Sequence, residues 1–215
     1  GRVPVLVGGS GLSVRGALDR LEFPGASAPV RARLYAELAE LGPQRLYARL
    51  AELDPAAAAA ILPSNGRRIA RALEVIEITG RPFVATMPGF DSIYDTRYLG
   101  LDRPDLDQRV EQRVHRMIDQ GLLDEVRALL PYGLRESPTA GKALGYQQLL
   151  ACLAPGDPAD GGGAVVGDLA EAVQVTIRQT LRFVRRQRRW FRRDPRVRWF
   201  DATSADLLGQ VAHTR

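Results

Sequence analysis

The chain has 215 residues, of which 45% are hydrophobic and 26% charged, with a net charge of +5. This composition fits a globular protein and excludes collagen-like and disordered chains, and no apolar run approaches the ~18–20 residues of a membrane span. One cysteine, Cys152, excludes a disulfide framework and suits a reducing cytoplasm, where the protein is expected to reside.

Val3–Val7 reads as a buried strand with which the sequence opens directly, no leader peptide being expected before it. Gly8-Gly9-Ser10-Gly11 then turns the chain into a short helical pattern through Leu12, Val14, Ala17 and Leu18. Glycines at such a turn leave N–H groups free at the start of a helix, where an anion can sit. The turn lacks the Lys-Ser/Thr of a phosphate-binding loop and is not G-x-G-x-x-G, so on its own it also fits a plain strand-to-helix connection.

From about Ala26 to Pro82 the pattern is helical. Leu34, Leu38 and Leu41 recur at helical spacing in Val30–Leu41, and Leu46 and Leu50 in Pro43–Leu53. Asp54 is placed to cap Ala56–Leu62, with Pro55 at the first helical position. Pro63-Ser64-Asn65-Gly66 interrupts, and Arg67–Thr79 makes the next helix, closed by Gly80 and Pro82. Its Ile69, Leu73 and Ile76 face inward and its Arg67, Arg68 and Arg71 outward, so the block reads as a separate all-helical subdomain.

Arg97–Leu101 is a second candidate strand, Asp105–Leu130 one long helical pattern, and Gly145 a loop–helix junction. Gly156–Gly167, rich in Gly, Asp and Pro, is expected to be a mobile surface loop. Leu169–Arg193 is a long helix with Leu169, Val173, Ile177, Leu181 and Val184 inward, and Val197–Phe200 is a third strand. Three short strands are few for a parallel sheet, which needs helices on both faces. The chain is therefore expected to be the C-terminal part of something larger, a helical protein with a small sheet being the alternative.

Of the 30 cations only Lys142 is a lysine. Arg178–Arg198 holds ten arginines against one acid, Asp194, a local +9 that leaves the other residues at −4. With Phe183, Trp190, Phe191 and Trp199 interleaved, this stretch points to a polyanion, nucleic acid or phosphate, although a solvated helix face has the same composition. His115 lies on a strongly patterned helix and is expected to be structural, His213 to be frayed and Cys152 to be a small core residue. No His/Cys/Asp cluster has metal-ligand spacing, so no metal site is expected.

Five segments in order resemble the tRNA dimethylallyltransferase (tRNA isopentenyltransferase, IPP transferase) family over nearly the whole chain. Val5-Leu6-Val7-Gly8-Gly9-Ser10-Gly11-Leu12 is similar to the family's strand and Gly-Gly-Thr-Gly-Leu-Tyr turn. Asp54-Pro55, Pro63 and Arg68-Ile69-Ala70-Arg71-Ala72-Leu73-Glu74-Val75 through Thr79-Gly80 resemble its "RI-RALEV…TG" helix. Arg113 through Met117 with Gly121-Leu122-Leu123-Asp124-Glu125-Val126, then Ala143-Leu144-Gly145-Tyr146-Gln147-Gln148, then Arg185-Arg186-Gln187-Arg188-Arg189-Trp190-Phe191-Arg192-Arg193 complete the likeness.

The resemblance implies a mostly helical α/β fold: a P-loop NTPase-like parallel-sheet core, incomplete here, with an inserted all-helical domain. The expected divisions are 1–24 (core), 25–93 (helical insertion gripping tRNA) and 94–215 (remaining core with the basic helix). It implies transfer of a dimethylallyl group from dimethylallyl diphosphate, with Mg²⁺, to N6 of the adenosine 3′-adjacent to the anticodon. The partner is then the tRNA anticodon stem-loop, its target base flipped into a channel, and the whole protein is expected to be monomeric, with no membrane partner.

By the same resemblance Gly8, Gly9 and Ser10 occupy the substrate-binding turn, with the Ser10 hydroxyl near the reacting end. Ser13 replaces the family's tyrosine. Lys142 stands in place of an arginine that holds diphosphate, supplying charge without the bidentate fork. Arg31, Arg67, Arg68 and Arg71 fall where family members touch tRNA, and Arg178, Thr180 and Arg182 fall on a second tRNA-contacting helix. The family's first third carries the phosphate-binding loop and the aspartate general base, and no residue here matches either. These 215 residues alone are therefore expected to be inactive or nearly so, with an exposed, sticky sheet edge. Two other classes stay open: a non-enzymatic RNA-binding helical module, with salt-steep binding and no diphosphate affinity, or a fragment of a P-loop small-molecule kinase that binds nucleotide.

Overall fold

The structure, a computed structural model, describes residues 3–84, 89–155 and 163–213. It divides into two compact units, Arg15–Asp95 and a second made of Gly1–Val14 with Thr96–Arg215. Helix α1 (Gly11–Leu18) runs across the division.

The Arg15–Asp95 unit is helical. Helix α2 spans Ala28–Leu53 but breaks at Gly42 (φ 76°, ψ 169°), ahead of Pro43. Proline has no N–H to continue the ladder and restricts its predecessor, and glycine tolerates the positive φ; the non-helical Gly42 thus separates the two helices expected either side of it. Asp54 caps the short α3 (Pro55–Ala59), accepting the Ala57 N–H at 2.9 Å, and its other oxygen accepts the Phe83 N–H at 2.8 Å. The patterned helix α4 (Gly66–Thr79) starts on an Asn65 cap and ends at Gly80, whose φ of 65° suits glycine. Leu34, Leu46, Leu50, Ile69 and Leu73 meet in the core between α2 and α4. At the ends of the unit, buried Arg15 pairs with Asp19 at 2.6 Å and donates to the Gly89 carbonyl, while Ile93 N–H reaches the Leu18 carbonyl.

The second unit carries a parallel pair, β1 (Tyr98–Asp102) and β2 (Val197–Asp201), in register Tyr98↔Val197 through Asp102↔Asp201. Around it run α5 (Leu106–Asp119), α6 (Leu122–Leu129), α7 (Tyr146–Cys152), α8 (Leu169–Phe191) and α9 (Leu207–Ala212). Val114, Val173 and Ile177 join α5 to α8, and Val126, Leu149 and Cys152 belong to the larger cluster formed with α6 and α7. Burial raises the Cys152 thiol pKa and keeps it an inert core group.

Three expectations are corrected in this unit. The helical pattern over Asp105–Leu130 is two helices, because Gly121 adopts φ 94° between α5 and α6. Val3–Val7 forms no strand: a strand exists only through pairing, the described sheet contains only β1 and β2, and Val3, Val5 and Val7 are over 80% exposed. Residues 163–167 are pinned rather than loose, through a Leu153–Val165 bridge and Val166 and Gly167 N–H groups donating to the Cys152 carbonyl; the rest of that stretch lies outside the described residues. His115 is exposed on α5, beside a shallow polar hollow. Among the described residues no helix is long and apolar enough to cross a membrane.

Candidate substrate turn and basic helix

The turn Gly8–Gly11 lies against α8. Gln187 donates from Nε2 to the Gly9 carbonyl at 2.7 Å. Neither of the flanking glycines has room for a side chain on this side: a Cβ on Gly9 would fall 2.3 Å from Gln187 Nε2, and one on Gly11 would fall 1.8 Å from Trp190 Nε1. Ser10 opens α1, its carbonyl accepting the Val14 N–H at 2.9 Å, and its hydroxyl shares a 2.8 Å hydrogen bond with that of Ser13 on the exposed side. Ser13 thus supplies a second hydroxyl beside that of Ser10. The first-turn N–H groups of α1 have no intrahelical acceptor, and so form a donor set for an anion.

Helix α8 sorts its arginines. Arg178 pairs with Glu171 at 2.6 Å, Arg185 with Asp107 at 3.5 Å, and Arg188 and Arg192 converge on Asp102 at 2.6 and 2.8 Å. Beyond the helix, Arg196 pairs with Asp194 and lies over the Tyr98 ring, and Arg198 lies over Phe200. Arg182, Arg186 and Arg189 are exposed and have no carboxylate partner among the described residues. At i, i+4 and i+7 they share an arc of roughly 60° on the helix, and Arg193 continues the step in the following turn. Arg186 also stacks over the half-exposed Phe183 ring at 5.8 Å. Thr180, by contrast, returns its hydroxyl to the Thr176 carbonyl at 2.8 Å.

Asp102 ends β1 at an open hollow lined by Arg103, Arg188, Arg192, Trp199 and Asp201. Burial works to raise its pKa, but hydrogen bonds from Arg188, the Arg103 N–H and Arg192 carry it below the usual carboxylate range. Asp102→Ala releases both guanidiniums into a partly solvated setting and is expected to cost about 1–2 kcal/mol. The check is a lower urea midpoint at unchanged slope.

In the helical unit, two of the arginines expected on the outside are occupied within the unit. The carboxylate of Glu74, 1% exposed, accepts from Arg31 at 3.1 and 3.2 Å, from Arg71 at 2.9 Å and from the Ser27 N–H at 3.0 Å. Arg71 also donates to the Pro24 and Gly25 carbonyls, so it faces the entry to α2. Arg67 and Arg68 are exposed, Arg68 with its guanidinium over the Phe83 ring at 5.9 Å. Lys142 ends a short 3₁₀ turn, Ala140–Lys142, exposed and with no ion-pair partner among the described residues.

Sequence reasoning missed Glu74, Asp102, Gln187 and Trp190 as organisers. Three of them had a faint signal: Glu74 is an acid inside an apolar stripe, Asp102 follows a strand, and Gln187 is an amide flanked by arginine pairs.

The IPP transferase family model matches residues 1–194. The chain is 61% identical to a tRNA dimethylallyltransferase of Streptomyces avermitilis over 99% of its own length and 66% of the relative's. With that of Streptomyces coelicolor the identity is 60%, over 96% of this chain and 64% of the relative, so the chain spans about two thirds of these proteins. A crystallographic structure of a eukaryotic dimethylallyltransferase acting on tRNA matches with a TM-score of 0.67 and 19% identity, over 95% of this chain and 53% of the other, a likeness of fold. The chain belongs to the IPP transferase family.

Proposed function

We propose that these residues form part of a tRNA dimethylallyltransferase, which transfers a dimethylallyl group from its diphosphate to N6 of the adenosine 3′ of the anticodon. The observation that carries the reading is the pairing of an anion-type turn with an unneutralised arginine stripe on one helix: Gln187 and Trp190 of α8 hold Gly8–Gly11, and Arg182, Arg186 and Arg189 stand on a neighbouring face.

In the reaction the N6 lone pair forms a bond to C1 of the dimethylallyl group. The C1–O bond breaks with its electron pair leaving on diphosphate, and the N6 proton passes to a base. This chain's contribution is on the leaving-group and RNA sides. The Ser10 hydroxyl and the N–H groups at the start of α1 bind and orient the diphosphate, where fixed donors aimed at developing negative charge lower the barrier. Lys142 adds a cation for the same anion. Arg178, Thr180, Arg182, Arg67 and Arg68 lie on RNA-facing surfaces, while Arg31 and Arg71 act through Glu74 to hold the helical unit in shape. Mg²⁺ enters with the diphosphate as part of the substrate. The whole protein works as a cytoplasmic monomer.

The base and a phosphate-binding loop have no counterpart in the sequence of these 215 residues. The test is incubation of the whole protein with tRNA, Mg²⁺ and dimethylallyl diphosphate, followed by nuclease digestion and mass spectrometry. The expected result is one prenyl group on the adenosine 3′ of the anticodon, and little or none with the 215 residues alone. Unmodified adenosine from the whole protein refutes the reading; brisk turnover by the 215 residues refutes the division of labour.

A further inference from the structure

The contact between α8 and the turn has a consequence for the direction of one peptide plane. Gly9 and Ser10 share a peptide unit, and in a trans peptide the carbonyl and the following N–H point in opposite directions. Gln187 draws the Gly9 carbonyl onto α8 at 2.7 Å. The Ser10 N–H therefore points away from α8, and no backbone carbonyl among the described residues accepts it. Were the plane to turn over, the carbonyl oxygen would replace that N–H and repel an anion. The turn is packed close on both sides of this peptide: a Cβ on Gly9 would fall 2.3 Å from Gln187 Nε2, and one on Gly11 1.8 Å from Trp190 Nε1.

We propose that Gln187 is a positioning residue that locks the Gly9–Ser10 peptide so that the Ser10 N–H is presented to the leaving diphosphate, with Trp190 as the wall against which the turn is shaped. The inference rests on the reading of the turn as the diphosphate side of the site. It assigns a role in the prenyl step to an uncharged residue inside the arginine run, separate from the RNA contacts of its neighbours.

The test compares wild-type, Gln187→Ala and Gln187→Glu forms of the whole protein. An ionised glutamate cannot donate to the Gly9 carbonyl, whereas a protonated one can. The expected result is a kcat for prenyl transfer lowered roughly 10- to 100-fold in both variants, the loss of one donor to a developing anion being of this order or larger. In Gln187→Ala, which leaves the charge of α8 unchanged, the Kd for tRNA and the melting temperature stay close to the wild-type values. As the pH falls towards carboxyl protonation, Gln187→Glu recovers relative to wild type and Gln187→Ala does not. An unchanged kcat in Gln187→Ala overturns the proposal. So does a fall in the tRNA affinity or melting temperature of Gln187→Ala in step with kcat, or a Gln187→Glu form without the pH-dependent recovery. Failure of the wild-type protein itself to prenylate tRNA would instead strike the underlying reading of the site.

Discussion

Replacing Glu74 by glutamine is expected to lower the stability of the Arg15–Asp95 unit by about 2–3 kcal/mol, since removal of one partner leaves charged groups without compensation. The carboxylate is fully enclosed and serves four donors: Arg31 through two nitrogens, Arg71, and the Ser27 N–H ahead of α2. Through Arg71 it also fixes Pro24 and Gly25. Glutamine keeps the shape but removes the charge and turns one acceptor into a donor facing guanidiniums. The arginines are partly exposed, 44% and 31%, and can turn to water, so the expected cost lies below that of a wholly buried pair. Urea denaturation of the helical unit would show a lower midpoint. Glu77→Gln, which breaks only an exposed pair with Arg33, should shift it far less.

The same carboxylate predicts an acid limit. Burial tends to raise the pKa of Glu74, but hydrogen bonds from Arg71, Ser27 and Arg31 outweigh it and hold the pKa below the ordinary glutamate value. A group whose folded pKa is depressed stabilises the fold fully above its unfolded pKa and loses that contribution as pH falls through the folded value. The wild-type unit should therefore weaken below the ordinary glutamate range, and Glu74→Gln should flatten that part of the profile.

Much of the helical architecture was legible because it rests on local chemistry. Leu34, Leu46, Leu50, Ile69 and Leu73 sit at helical spacing and meet in one core; Asp54 with Pro55, and Gly80, mark helix ends whose caps are present in the structure. The break at Gly121 was not legible, since an apolar stripe continues in phase across one glycine, and only its φ of 94° separates α5 from α6. Val3–Val7 misled for the opposite reason: its residues favour a strand, but pairing is a long-range property that no local pattern contains. At the candidate site, the basic character of α8 could be read from composition, whereas its sorting could not. Which arginines are neutralised depends on Asp102 and Asp107, distant in sequence, and which amide meets the Gly9 carbonyl depends on how α8 packs.

That sorting leads to the second large effect. Removing Arg182, Arg186 and Arg189 together, as glutamines, takes away three exposed cations and leaves the arginine–carboxylate pairs at Asp102, Asp107 and Glu171 in place. Each cation that neutralises a phosphate releases counterions, so three contacts contribute roughly 2–3 to the slope of log affinity against log salt. Arg109, Arg113 and Arg116 on α5 are also exposed but alternate with Asp107, Glu111 and Asp119, so substituting them matches the change in net charge without removing an unopposed stripe.

The most direct measurement is the affinity of this chain for a tRNA anticodon stem-loop across a salt series, with wild type, the triple variant on α8 and the matched variant on α5. The expected result is salt-steep binding, weakened on the order of 10- to 100-fold and with a slope shallower by roughly 2–3 only in the α8 variant. Wild-type binding that is indifferent to salt, or equal losses in the two variants, would contradict an RNA-facing α8 and with it the assignment of this chain to the tRNA side of a prenyl transfer.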